Sequence, residues 1–219
     1  MRASSRAILE VSLVFSAVIG VCKILDHLRS VPWVARHDLV ALGAACLFLY
    51  VPLAVLHTGK RKPQDFGITL SGFWTSLRMT SVFSVLFLPP FFLLYSLYRT
   101  VWFHGSLHLT ISPDWTLLLA YHLLCVALPE EVFYRGYMQS RLNMALPGRI
   151  RLFSASVGFG WFYTAFLFAF GHFLITHHVE RWATLLPGLL FGWLRERTGS
   201  IVAPTLFHAI CNGAILLAA

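Results

Sequence analysis

The stretch WTLLLAYHLLCVALPEEVFYRGYMQSRL, residues 115–142, begins as an apolar run and continues into two adjacent glutamates and an arginine. An apolar run of about 20 residues is long enough to cross a bilayer as a helix. Ionisable groups within such a helix are costly, so Glu130, Glu131 and Arg135 are candidates for function. The alternative is a purely structural ion pair. The stretch therefore predicts a membrane helix that carries functional ionisable residues.

The composition agrees with a membrane protein. Of the 219 residues, 58% are hydrophobic and 12% are charged, whereas a soluble domain is about 25% charged and 45–50% apolar. We therefore expect one integral membrane domain over residues 1–219, with the lipid bilayer as its surroundings. The net charge is +8, but the basic residues lie between apolar runs, as in the cytoplasmic loops of membrane proteins. A nucleic-acid partner is not expected.

The remaining apolar runs predict an all-α, polytopic membrane helix bundle. About seven transmembrane helices are expected, with six to eight as the range. Their predicted bounds are 7–25, 39–56, 79–98, 115–135, 154–175, 182–195 and 201–218.

The distribution of Lys and Arg predicts that the N-terminus is inside and the C-terminus outside. With that orientation the loops at 57–78, 142–153 and 195–200 share the inner side. The inner basic residues are Arg2, Arg6, Lys60, Arg61, Lys62, Arg78, Arg141, Arg149, Arg151, Arg195 and Arg197, against Lys23, Arg29, Arg36, Arg99 and Arg181 outside.

Helical spacing separates the two glutamates. Residues four apart share a helix face, while adjacent residues point about 100° apart. Glu131 can therefore pair with Arg135, which is its structural interpretation. Glu130 faces elsewhere without a local cation, and an unpaired carboxyl in a dry site suits a general base.

Two further patches place polar groups on apolar helices. In FAFGH, Phe168 and His172 are four apart, so the phenyl ring can orient the imidazole. In HAICN, His208 and Asn212 project from one face, and both can donate hydrogen bonds to a developing oxyanion. A lone histidine is more often a core residue, and His122, without a polar partner at helical spacing, is interpreted as structural.

In their order along the chain, EEVFYR (130–135), FAFGH (168–172) and HAICN (208–212) resemble the CPBP family of intramembrane proteases. That family includes the type II CAAX prenyl endopeptidases, and its motifs are E-E-x-x-x-R, F-x-x-x-H and H-x-x-x-N or H-x-x-x-D. The resemblance covers roughly residues 115–215, which we take as the catalytic core.

The resemblance implies a helix bundle around a water-accessible cavity and a glutamate-type peptidase mechanism without a cofactor. It implies that Glu130 deprotonates water with help from His172, and that His208 and Asn212 stabilise the oxyanion. It also implies supporting roles for Glu131, Arg135 and Phe168, which position the four residues named above.

The expected substrate is a membrane-associated protein or peptide, cleaved near its C-terminus. CAAX processing is one version, and removal of a prokaryotic sorting or anchoring tail is another. The expected location is a prokaryotic cell (inner) membrane, in multi-pass form.

The predicted position of His172 does not fit a direct approach to Glu130. In a span over 154–175, His172 lies late and sits too shallow to meet Glu130. A helix that starts nearer Phe159, preceded by an interfacial segment, restores the match.

Two other functions stay open. Glu130, His172 and His208 supply the ligand types of a zinc site, which makes a zinc-dependent protease the first alternative. The second is a non-catalytic immunity, scaffold or transport protein of the same fold, because intramembrane ionisable groups also mark transport paths.

Overall fold

The computed structural model describes residues 3–104 and 107–218, so Arg2, counted above among the inner basic residues, lies outside them. Its described residues form a bundle of eight helices, numbered here in chain order. They are α1 Ala3–His27, α2 Pro32–Arg36, α3 Leu39–Thr58, α4 Phe73–Phe103, α5 Trp115–Ala145, α6 Phe159–Thr176, α7 Leu185–Thr198 and α8 Val202–Ala218. The predicted all-α class is confirmed, and each of the seven predicted runs falls on or overlaps a helix.

Five of the described helices, α1, α3, α4, α5 and α6, are long and apolar enough to cross a membrane. The protein is therefore a multi-pass integral membrane protein. Helix α8 is apolar but has 17 residues, and α7 has 14. Seven crossings stay a prediction, since a full crossing normally takes about 20 residues.

The outer surface of the bundle is apolar where lipid would lie. In α4 the most apolar window is only 11% buried inside the protein. Its outward side chains include Val85, Leu93, Leu94 and Val101, each more than 60% exposed. A contiguous apolar surface of this kind is unfavourable in water and favourable in hydrocarbon, so this face contacts the bilayer.

Helix α5 is the central helix of the bundle, packed against α1, α3, α6, α7 and α8. It is not a regular α-helix. Residues His122–Ala127 and Val132–Gln139 are π-helical, and one α-helical turn, Leu128–Glu131, separates them. π-helical turns insert an extra residue and re-aim the side chains around them, and they are frequent at functional sites. Both adjacent glutamates lie in the turn between the two.

A small β-hairpin precedes α6. Strand β1 (Arg149–Leu152) pairs antiparallel with β2 (Ala155–Gly158). Helix α6 then begins at Phe159. The predicted span over 154–175 therefore started five residues too early, and the later start, considered above because of His172, is confirmed.

Helices α6 and α7 approach closely at two glycines. A Cβ on Gly188 would meet Cδ1 of Phe168 at 3.3 Å, and one on Gly192 would meet Cδ1 of Trp161 at 2.7 Å. The four-residue spacing of these glycines is typical of close helix packing in membranes. The approach of α7 brings its backbone to the side chains of α5 and α6 that form the site.

Candidate active site

Glu131 is the centre of a buried hydrogen-bond network. Its Oε1 accepts a hydrogen bond from Nη1 of Arg135 at 2.9 Å, and the side chains of both residues are 0% exposed. The predicted ion pair is therefore confirmed. The same oxygen lies 2.9 Å from Nδ1 of His208 on α8. Because a carboxylate paired with an arginine only accepts, Nδ1 is the donor in this contact.

Both Nη groups of Arg135 are hydrogen-bonded, while its Nε is buried without a hydrogen-bond partner among the described residues. Its Nη2 donates to the carbonyl oxygen of Gly188 at 3.0 Å. The guanidinium carbon lies 4.5 Å from the ring centroid of Phe168, 5.2 Å from that of Phe191 and 5.7 Å from that of Tyr134. Desolvated cation–π contacts and a paired carboxylate offset part of the cost of burying a charge. Arg135 thus joins α5, α6 and α7 around Glu131.

Glu130 approaches the opposite edge of the same imidazole. Its Oε2 lies 3.9 Å from Nε2 of His208, and its side chain is 14% exposed. Within the described part of the chain Oε2 is buried and has no hydrogen-bond partner. A separation of 3.9 Å is too long for a direct hydrogen bond, so the two groups face each other without one. The adjacent glutamates thus face different nitrogens of one histidine.

His172 lies on the neighbouring helix α6 with a defined tautomer. Its Nδ1 is 2.8 Å from the carbonyl oxygen of Phe168. A carbonyl only accepts, so Nδ1 carries the proton and Nε2 of the neutral ring is the acceptor. The Phe168 ring contacts both imidazoles, with centroids 4.6 Å from His172 and 6.0 Å from His208. Phe168 therefore orients His172, as the spacing predicted.

The catalytic residues predicted from the sequence are not all in contact with one another. Among the described residues, no nitrogen of His172 lies within 4.0 Å of the Glu130 carboxylate. Asn212 follows His208 by one turn of α8 and is partly exposed. Residues at this spacing share a helix face. The approach of His172 and of Asn212 to a reacting group stays a prediction.

The sequence reasoning missed two elements of the site. Phe191 stacks on the His208 ring, with centroids 4.7 Å apart and an interplanar angle of 18°. It lies between Gly188 and Gly192, a segment whose spacing indicated only close packing. The second element is the contact of Glu131 with His208, which are 77 residues apart. Local helical spacing carries no signal for a contact of that separation.

An apolar cavity of about 450 Å³ lies beside the site, between α4, α7 and α8. Its walls include Leu88, Phe91, Leu186, Leu190, Phe207 and Cys211. Phe207 and Cys211 immediately precede His208 and Asn212 on α8. The cavity opens to the surface, since Leu186 is 69% exposed, and its volume lies within the usual range of ligand pockets.

The residues present do not form a ready metal centre. Within residues 3–104 and 107–218, no three His, Cys, Asp or Glu side chains are grouped closely enough to hold a metal ion. Glu130 and His208 approach each other, but Nδ1 of His172 is engaged by the Phe168 carbonyl. A zinc site made from these three residues requires His172 to join the other two. The zinc alternative stays open to a direct test.

Comparison with known families covers this whole site. Residues 111–214 match the family model described as Type II CAAX prenyl endopeptidase Rce1-like. No curated protein and no solved structure gave a significant match. The matched segment includes all three motifs that carried the resemblance. Residues 111–214, which carry the whole candidate site, are therefore similar to the type II CAAX prenyl endopeptidases, a family of proteases.

Proposed function

We propose that this protein is an intramembrane endopeptidase that cleaves a membrane-associated protein near its C-terminus, using water activated by Glu130. The similarity of residues 111–214 to a CAAX-type protease family supports peptidase activity in general terms. The observation that carries the specific mechanism is the placement of one imidazole between two carboxylates. Glu131 is hydrogen-bonded and ion-paired, whereas Oε2 of Glu130 has no protein partner among the described residues.

Glu130 is the general base in this proposal. A water oxygen within hydrogen-bond distance of its Oε2 would pass a proton to the carboxylate and attack the scissile carbonyl carbon. General-base catalysis of this kind contributes about 10²–10⁴-fold. Glu131 is less suited to this role, because its Oε1 binds Arg135 and His208 and its side chain is fully buried, whereas the Glu130 side chain is 14% exposed.

His208 and Asn212 stabilise the oxyanion of the tetrahedral intermediate. Nδ1 of His208 donates to Glu131. The other ring nitrogen of His208, Nε2, is therefore the one proposed to face the reacting groups. When His208 is protonated, Nε2–H becomes a donor, and the side-chain amide of Asn212 supplies a second one from the same helix face. Donors aimed at the position of the developing charge are worth about 2.7–4 kcal/mol each in related acyl-transfer reactions.

His172 assists Glu130 as a second acceptor. Its neutral tautomer leaves Nε2 with a lone pair, which can accept a hydrogen bond from the attacking water. The proton taken up by Glu130 then passes to the leaving amine. We propose that substrate binding completes this approach, since catalytic hydrogen bonds often tighten only in the substrate complex.

The cavity beside α8 supports the proposed substrate class. Its apolar walls suit a lipid group attached close to the scissile bond. A prenylated CAAX protein is one such substrate, and a prokaryotic protein with an apolar sorting or anchoring tail is the other. We propose a prokaryotic inner membrane as its location.

The test is cleavage of defined peptides by the purified full chain in proteoliposomes. We would compare a prenylated CAAX peptide, the same peptide without its prenyl group, and a peptide with an apolar anchoring tail. We expect one product pair that appears with wild type and falls at least 100-fold with Glu130→Gln. No cleavage of any peptide or of isolated membrane proteins by well-folded protein would favour the non-catalytic immunity, scaffold or transport function.

A further inference from the structure

A second cavity, separate from the protease site, lies where α3 and α5 end. Its volume is about 420 Å³, and its lining includes Lys60, Arg61, Lys62, Asp65, Arg141 and Met144. Lys60 is the second residue after the end of α3 at Thr58, and Arg141 lies in the last turns of α5, which ends at Ala145. No residue of the proposed catalytic set lines it.

Two arginines of this basic pocket are held in place by one glutamate of α1. Nη2 of Arg61 donates to Oε2 of Glu10 at 3.0 Å, and Nη2 of Arg141 donates to the same oxygen at 3.1 Å. The hydroxyl of Tyr137 donates to Oε1 of Glu10 at 3.1 Å. Both guanidinium groups are therefore fixed before any ligand arrives, which lowers the entropic cost of binding.

The pocket keeps an excess of positive charge after this pairing. Four cations, Lys60, Arg61, Lys62 and Arg141, face two anions, Glu10 and Asp65, which leaves an excess of two positive charges. Fixed guanidinium groups beside mobile ammonium groups are the usual means of binding phosphate. The chemistry of the pocket therefore fits a phosphate group.

The position of the pocket distinguishes a lipid phosphate from a soluble one. It lies at the ends of two helices that are long and apolar enough to cross the membrane, which is the depth of lipid headgroups. Met144 lines it and is 55% exposed, so an apolar contact is available next to the charges. Basic pockets between membrane helices are known to bind anionic headgroups.

We propose that this pocket binds the phosphate group of an anionic membrane phospholipid. The lipid would join the ends of α3 and α5 to α1 through the Arg61–Glu10–Arg141 group. It would add attractive contacts at the inner face, on the side that the distribution of Lys and Arg predicts to be cytoplasmic.

The test is a lipid titration of the purified full chain in neutral detergent, read out by native mass spectrometry. Phosphatidylglycerol is the probe, phosphatidylcholine the zwitterionic comparison, and soluble glycerol phosphate the competitor. The variant is Lys60→Gln with Lys62→Gln. These side chains are exposed and outside the Glu10 network, so folding is unaffected. At about 1 kcal/mol for each basic residue near an anionic surface, the double variant should bind phosphatidylglycerol about 30-fold more weakly.

The matched control removes two charges elsewhere on the same predicted side, by Arg78→Gln with Arg197→Gln. Both arginines are exposed and neither lines the pocket. The control should keep wild-type affinity for phosphatidylglycerol. An equal loss in both variants would mean unspecific attraction and overturn the proposal. Displacement of the lipid by equimolar glycerol phosphate, or equal binding of phosphatidylcholine, would also overturn it.

Discussion

Replacing each of the adjacent glutamates by glutamine should separate catalysis from stability. Glu130→Gln keeps the size of the side chain and its hydrogen-bonding capacity but removes the proton acceptor. Oε2 of Glu130 has no protein hydrogen bond among the described residues, so no existing contact is broken. Cleavage should fall by about 10²–10⁴-fold, while the amount of folded protein in the membrane should stay near wild type.

Glu131→Gln disturbs a different set of contacts. One oxygen of Glu131 binds both Arg135 and His208, and Glu131 and Arg135 are fully buried. The glutamine removes the carboxylate that is hydrogen-bonded to Arg135. Breaking a buried ion pair in this way costs about 3–5 kcal/mol. Since total stabilities are about 5–15 kcal/mol, the main effect should be a loss of folded protein.

The catalytic effect of Glu131→Gln should be smaller than that of Glu130→Gln. The general base remains, and the glutamine oxygen can still accept from Nδ1 of His208. Activity per folded molecule should therefore be partial. The reduced level of protein should recover at lower growth temperature, whereas the defect of Glu130→Gln should not change with temperature.

The assay expresses wild type and both variants side by side. Membrane levels are quantified by immunoblot, monodispersity by gel filtration, and cleavage is measured per mole of folded protein. A well-folded but inactive Glu131→Gln, together with an active Glu130→Gln, would reverse the assignment of the two residues. If neither substitution alters function, the protein does not act as a protease of this kind.

Three further predictions concern the metal, the topology and the packing of α6 and α7. Activity should survive exhaustive chelation, and stoichiometric zinc whose removal abolishes activity and whose return restores it would establish the zinc-dependent mechanism instead. Reporter fusions after Arg61 and after Arg197 should both report the cytoplasm, and opposite sides would mean that a span was miscounted. Gly192→Val should destabilise the protein by about 1–3 kcal/mol, because even a Cβ there approaches Trp161 to 2.7 Å. Gly20→Val, where a Cβ has no neighbour within 4 Å, is the matched control for the thermal melt.

The sequence was sufficient for the features that depend on local spacing. The Glu131–Arg135 pair, the Phe168–His172 contact and the separation of Glu130 from its neighbour all follow from positions on one helix. Each was found as predicted in the contacts of the structure. The apolar runs likewise predicted where helices lie, because a chain in lipid must satisfy its backbone hydrogen bonds internally.

Features that depend on distant partners could not be predicted in this way. The π-helical turns of α5 have no simple sequence signature, since their cost is offset by packing against other helices. The contact between Glu131 and His208 depends on the relative position of α5 and α8, which is a property of the whole bundle. The role of Phe191 was not predicted, because an aromatic residue between two glycines normally packs in a core. Its stacking on His208 is evident only from the structure.

The charges of the site explain how one structure can hold two acidic residues in a membrane. Glu131 is paired with Arg135, and Glu130 faces the Nε2 edge of the His208 imidazole. Glu131 and Arg135 form a closed pair at 2.9 Å, which stabilises the helix arrangement. Glu130 and His208 remain at 3.9 Å, near enough for mutual attraction but not joined by a hydrogen bond. The adjacent glutamates therefore differ in their contacts: Glu131 is paired through Oε1 and fully buried, whereas the Glu130 carboxylate has no hydrogen bond to the described residues and its side chain is 14% exposed.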